Sequence, residues 1–221
     1  MIDMKENYFG EGRLIQQAWE FLDCVYHLRS QRQRRLDTRT SALLVMDMQD
    51  YFLEEGSHSH IPSANAIVPQ IERLQQAFFR KQLPVIQTRH INDTRNAGQM
   101  AQWWQELITI NNPLSRITPQ LSHQDAFVIT KSQYDAFYNT PLEEKLKNSR
   151  VTQVVITGVM AHLCCETTAR SAFVRGFEVF FVIDATATYN RQFHQSTLIN
   201  LAHGFATPIL TQEVLDSLRN Q

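Results

Sequence analysis

Glycine is scarce in this 221-residue chain, at 7. No segment matches the G-x-G-x-x-G dinucleotide turn or the G-x-x-x-x-G-K-[ST] phosphate loop, so nucleotide chemistry loses its usual backbone cradle. Cysteine is scarcer, at 3, as Cys24 and the adjacent pair Cys164 and Cys165. An odd set with two neighbours is a poor disulfide framework and suits a reducing compartment. An excess of one charge is missing as well. Lysine plus arginine is 21 against 22 for aspartate plus glutamate, a net charge of −1, which makes no electrostatic case for nucleic acid or an anionic membrane as partner. No apolar run approaches the ~18 residues of a membrane helix, and the first residues, with Asp3, Glu6 and Glu11, lack an export signal's apolar core. The expectation is a soluble, cytoplasmic protein.

What is present fits an ordinary globule: 43% hydrophobic and 19% charged residues, enough for a full core in one large domain. Residues 11 to 35 read as a helical arm, with Ile15, Trp19, Leu22 and Tyr26 at helical spacing, followed by the basic cluster Arg29, Arg32, Arg34, Arg35 and Arg39. That cluster is read as a solvated face rather than an anion site. From residue 42 short β-rich runs alternate with helix-period stretches. Strands are predicted at Ala42–Met46, Leu83–Thr88, Ala126–Thr130, Gln153–Thr157, Glu178–Ile183 and Ala206–Leu210. Helices are predicted at Ala64–Lys81, Gly98–Ile108, Pro141–Ser149, Leu163–Arg175, Arg191–His203 and Gln212–Leu218. Runs such as Val154-Val155-Ile156 do not alternate with polar residues, as expected for strands buried on both faces of a parallel sheet. The fold class is therefore α/β, a doubly wound three-layer sandwich around a six-stranded parallel sheet, with an arm over residues 1–40 and a main domain over 41–221.

In an open α/β sheet the ligand crevice lies beyond the carboxyl ends of the strands. The first strand ends at Asp47, the second at Arg89 and His90, the third at Lys131, the fourth in the run Gly158 to Cys165, and the fifth at Asp184. A carboxylate, an ammonium and a thiol thus meet on one rim. A thiol attacks as thiolate and needs a base or a neighbouring cation, which Asp47 and Lys131 supply for Cys164. A helix start near Leu163 adds N–H groups and a positive dipole end. The plainer reading is that Cys164 and Cys165 are small apolar core residues.

The run Ala42 to Gln49, Lys131 with Tyr134-Asp135-Ala136-Phe137, and Thr157-Gly158-Val159-Met160 through Cys164 resemble the three signature blocks of the isochorismatase-like cysteine hydrolases, across about residues 41 to 215. The resemblance implies a six-stranded parallel sheet, homo-oligomers, and catalysis by Asp47 as base, Lys131 as cation and Cys164 as nucleophile. It also implies a cis Val159–Met160 peptide and an oxyanion hole made by the N–H groups of Met160 and Cys164. The implied cofactor count is none. Metal-containing nicotinamidases carry Asp-x-His where this chain has His90-Ile91-Asn92, so no metal is expected there. His58 and His60 form an isolated H-x-H, read as rim histidines rather than a zinc site.

Candidate substrate contacts are Phe52, Arg89, His90, Tyr134, Phe137 and His162, with Trp103 and Trp104 as cover or core. Isochorismatases proper share the Tyr134 to Phe137 block but commonly carry glycine at the Cys164 position. Retention of the cysteine favours hydrolysis of a small amide or carbamoyl/ureido substrate through a thioester. The alternatives are vinyl ether hydrolysis by Asp47 without a covalent intermediate, and a catalytically silent interaction module.

Overall fold

Val154, Val155 and Ile156 have no face left for water, and each is fully buried at the centre of a parallel sheet. A computed structural model of the chain describes residues 4–10, 12–32 and 34–220, with the side chain of Arg32 outside that description. The acidic positions Asp3 and Glu11 also lie outside the described residues. The elements run α1 (Leu14–Arg32), β1 (Ser41–Met46), α2 (Asp50–Leu53), α3 (Ala64–Arg80), β2 (Val85–His90), α4 (Met100–Trp103) and β3 (Phe127–Lys131). They continue as α5 (Leu142–Asn148), β4 (Gln153–Val159), α6 (Glu166–Val174), β5 (Glu178–Ala187), α7 (Arg191–Gly204), β6 (Thr207–Ile209) and α8 (Thr211–Arg219). A wide turn over Ala161–Cys165 links β4 to α6.

All six strands are parallel, in the order β3-β2-β1-β4-β5-β6. The order reverses between β1 and β4, and a crevice opens beyond the strand ends at such a reversal. Helices cover both faces. On one side α3 turns Ile67, Ile71, Leu74 and Phe78 inward and packs on α8, while α1, α6 and α7 form the other layer. Gly158 sits at the reversal opposite Met46, with φ +100°. A Cβ there would lie 2.1 Å from the Met46 carbonyl oxygen, so only glycine lets β4 approach β1 this closely.

Several elements differ from their sequence reading. In α1 the buried stripe is Ala18, Phe21, Leu22 and Val25, facing α7, β5 and β6, while Ile15, Trp19 and Tyr26 stand outside at 51%, 56% and 62% exposure. The helix carries two apolar stripes, and the one with Phe21 meets the body. Arg29 is no solvated residue, because its guanidinium is buried in a bidentate pair with Glu213 of α8. The helix expected over Gly98 to Ile108 is a single turn, since it buries Met100 alone and Gln105 leaves helical geometry at φ +60°. β5 runs on past residue 183, so Asp184 lies inside the strand, where it accepts from the Thr211 N–H and hydroxyl at 2.7 and 2.9 Å and fixes the start of α8.

The segment before α1 is also tied in. Tyr8 and Phe9 are buried beside Phe21 and His194, and the Tyr8 hydroxyl lies 3.0 Å from His194 Nδ1 while accepting the Thr188 N–H at 2.9 Å. No helix among the described residues is long and apolar enough to cross a membrane.

Candidate active site

The chain leaves β1 through Asp47, whose φ of +49° turns it sharply at the crevice. Thr88 on β2 holds this turn from both ends. Its hydroxyl accepts the Asp47 N–H at 3.0 Å and donates to Asp47 Oδ1 at 2.6 Å. The other carboxylate oxygen, Oδ2, pairs with Lys131 Nζ at 2.8 Å, and neither side chain is exposed. Lys131 ends β3 at the sheet edge, so its long stem crosses beneath β2 to reach the reversal point. Its ammonium also lies 2.9 Å from the Gln133 carbonyl oxygen, 3.3 Å from Cys164 Sγ and 3.3 Å from His90 Nδ1. Four acceptors therefore surround a group with three hydrogens.

The charges settle one another. Burial alone would raise the Asp47 carboxyl, but Lys131 and the hydrogen bond from the Cys164 thiol bring it below its ordinary value. Burial would lower Lys131, yet Asp47 and Cys164 more than reverse this and raise it. Cys164 is pushed up to about 12, by burial first and by the Asp47 charge second, with Lys131 pulling the other way. The resting site is thus carboxylate, ammonium and thiol. Lys131 does favour the thiolate, as the sequence reading held, but burial and Asp47 outweigh it.

His90 is neutral, pushed down to about 3 by burial and then by Lys131. With its Nδ1 facing an ammonium, that nitrogen accepts and Nε2 carries the hydrogen. The Asn92 amide lies 3.1 Å from Nε2, and turning its oxygen there gives the otherwise unpartnered, buried Asn92 Oδ1 a donor. Asp47, His90 and Cys164 are the described side chains that converge like metal ligands. The Lys131 ammonium already sits among all three, so a divalent cation does not fit there. His58 Nδ1 lies 3.6 Å from Glu106 Oε2, and His60 is pushed down by burial and then by Lys5.

Cys164 forms the floor of a cavity of about 60 Å³. Its walls are Phe52, Met100, Trp104, Ile108, Tyr134, Met160 and Leu163, and its polar margin is His90, Asn92, Tyr51, Ser59 and Glu106. Trp104 Nε1 donates to the Tyr134 hydroxyl at 2.6 Å, joining two walls. The peptide Val159–Met160 is cis, and the Met160 carbonyl oxygen accepts from the Leu163 and Cys165 N–H groups at 3.1 and 3.2 Å. Cys165 points the other way, its sulfur 3.9 Å from the Thr157 carbonyl oxygen in the core.

Of the residues expected from sequence, the structure brings together Asp47, Lys131, Cys164, Met160, His90, Phe52 and Tyr134. Three of the expected substrate contacts do not line the cavity. Arg89 turns to the far side of β2, donating to the Ser115 carbonyl and hydroxyl at 2.7 and 2.8 Å, because adjacent strand residues face opposite ways. Phe137 stacks on Phe177 beneath Arg175. His162 stacks on Phe193, bonds Thr188 through Nδ1 and is pushed down to about 4 by burial. Trp103 is 79% exposed and does not line the cavity. Tyr51, Ser59, Asn92 and Glu106 were not foreseen. They arrive from loops and a single helical turn, where no periodicity announces a facing direction.

The Isochorismatase domain model matches residues 41–213. Nicotinamidase 3 of Arabidopsis thaliana is 38% identical over 181 residues, which are 79% of this chain and 87% of that protein. Enterobactin synthase component B of Escherichia coli K12 is 31% identical over 182 residues, 81% of this chain and 64% of that protein, so the chain spans less than two thirds of it. Among solved structures, a cysteine hydrolase from Pseudomonas syringae pv. phaseolicola 1448A matches with a TM-score of 0.81 at 26% identity, covering 85% of this chain and 96% of its own.

Proposed function

The chain belongs to the isochorismatase family of hydrolases, and on that premise we propose that it cleaves a C–N bond of a small amide or carbamoyl compound through Cys164, Asp47 and Lys131. The observation that carries this reading is the floor of the cavity, where the thiol of Cys164 stands 3.3 Å from Lys131 Nζ and the same ammonium holds Asp47 at 2.8 Å.

With Cys164 a thiol at rest, attack and deprotonation go together. Sγ bonds to the substrate carbonyl carbon while its proton passes to Asp47. Lys131 then faces the negative charge that has moved away from Asp47. The carbonyl oxygen becomes an oxyanion and takes hydrogen bonds from the Met160 and Cys164 N–H groups. Collapse of the tetrahedral adduct breaks the C–N bond, and the departing nitrogen leaves with the proton from Asp47. Water attacks the resulting thioester, giving one proton to Asp47, and that proton returns to the sulfur as the acid product leaves. No step needs a further reactant beyond water.

The vinyl ether reading draws support from the 29% identity over 187 residues to the Isochorismatase of Bacillus subtilis strain 168. The cavity speaks against it. Isochorismate carries two carboxylates, and neither lysine nor arginine lines the cavity among the described residues, Arg89 being engaged with Ser115. The test is a screen of small amides, ureas and isochorismate with ammonia and pyruvate as readouts. Ammonia supports the amide reading, and pyruvate without ammonia replaces it with the ether reading.

A further inference from the structure

Glu106 stands in the margin of the cavity with no catalytic duty in the scheme above. It follows the single turn α4, and its Oε1 accepts the Tyr51 hydroxyl at 2.5 Å. Tyr51 is itself buried, and Ser59 reaches both its hydroxyl and that of Tyr189. The Glu106 carboxylate is therefore held in place at the mouth by a buried phenol, while its Oε2 lies 3.6 Å from His58 Nδ1. Among the described residues it is the one carboxylate in the cavity lining, since Asp47 lies beneath the floor. Apart from His58, the basic residues nearby are occupied elsewhere: Lys131 under the floor, Arg89 at Ser115, and Lys5 on the outside with the His58 carbonyl oxygen and the Tyr189 ring.

We propose that Glu106, oriented by Tyr51, is the specificity-determining residue of this cavity, selecting small planar amides whose end remote from the scissile carbonyl carries a cationic or hydrogen-bond-donating group and rejecting those that carry a carboxylate there. This rests on the amide-hydrolase reading of the same cavity. The cavity of about 60 Å³ takes the scissile carboxamide against Cys164 at its floor, the flat ring rests at its opening against Phe52, Trp104 and Tyr134, and the remote substituent stands out beside the half-exposed Glu106 carboxylate. A carboxylate there is left beside a like charge, and a neutral group without a donor gains nothing.

The experiment uses three benzamides alike in size and differing in charge at the 3-position: 3-(aminomethyl)benzamide, 3-ethylbenzamide and 3-carbamoylbenzoate. Their dissociation constants are measured by calorimetry on the Cys164→Ala protein, with and without Glu106→Gln. Glu106 is half-exposed, and glutamine keeps an oxygen to accept from the Tyr51 hydroxyl. The expected order of affinity is cation, neutral, anion, each step about fivefold, the size of a partly exposed charge pair. Glu106→Gln brings the cation to the affinity of the neutral compound. Equal affinities, absence of binding, or an order that survives Glu106→Gln overturns the proposal. Ammonia release from the same compounds by the protein with Cys164 intact tests the amide reading separately. No ammonia with the affinity order intact sinks the chemistry and keeps the subsite.

Discussion

Lys131 Nζ lies 2.8 Å from Asp47 Oδ2, and both side chains are fully buried. The same ammonium touches Cys164 Sγ at 3.3 Å, so the thiol feels two neighbours of opposite sign. Asp47 pushes its pKa up and Lys131 pulls it down. Removing each should therefore move the thiol in opposite directions. Asp47→Asn is expected to shift the alkylation of Cys164 by iodoacetamide to lower pH, and Lys131→Met to higher pH. Under the proposed mechanism turnover falls in both, by about a hundredfold or more, because Asp47 is lost as proton carrier or loses the ammonium that holds it in place. Rates are read against pH on the Cys164 peptide, apart from that of Cys24. Shifts in the same direction would contradict the assignment.

Acid sensitivity follows from the buried histidines. His194 and His90 are pushed down to about 3, in both cases by burial first. The unfolded chain protonates them near pH 6.5 while the folded chain does not, so stability declines as pH falls below about 6.5 and continues to decline until about pH 3. Each contributes up to about 1.4 kcal/mol per pH unit in that window. Asp47, whose folded pKa is lowered, adds its loss only below the ordinary carboxylate range. In His194→Gln the drop in unfolding free energy between pH 7.5 and 5 should be smaller by about 2 kcal/mol, measured by urea titration. An unchanged drop would mean that His194 is not held neutral.

At Gly158 the constraint is steric. A Cβ at 2.1 Å from the Met46 carbonyl oxygen has nowhere to go, because both atoms belong to paired central strands. Gly158→Ala should cost about 4 kcal/mol or more, or prevent folding. A wild-type melting temperature would show that β1 and β4 sit farther apart.

The Lys131 ammonium occupies the space that a metal would need among Asp47, His90 and Cys164. Prolonged chelation should leave amide turnover unchanged. Loss of activity restored by zinc, iron or manganese would contradict this and place a metal elsewhere in the cavity.

The strand ends made much of the site legible. Asp47, Lys131 and Cys164 each follow or close a parallel strand, and a parallel sheet sends all its carboxyl ends to one rim. Facing directions were less legible. Arg89 and His90 are neighbours on β2 and point to opposite sides, and the sequence offered no reason to choose between them. Asp184 reads as the residue just past the fifth strand, although hydrogen bonds of Asp184 and Thr186 within the core let β5 continue through both. Tyr51, Ser59 and Glu106 meet only because the short α2 turn and two loops fold toward one another, and no local pattern encodes such a meeting.

The central claim is that Cys164 is the nucleophile, and the rate of ammonia release by Cys164→Ala tests it most directly, with Cys165→Ala as the matched control. On a small amide that the wild type hydrolyses, Cys164→Ala should lose at least about a thousandfold in kcat. Cys165→Ala, whose sulfur faces the Thr157 carbonyl in the core, should keep most of its rate. Wild-type ammonia release by Cys164→Ala would contradict the account.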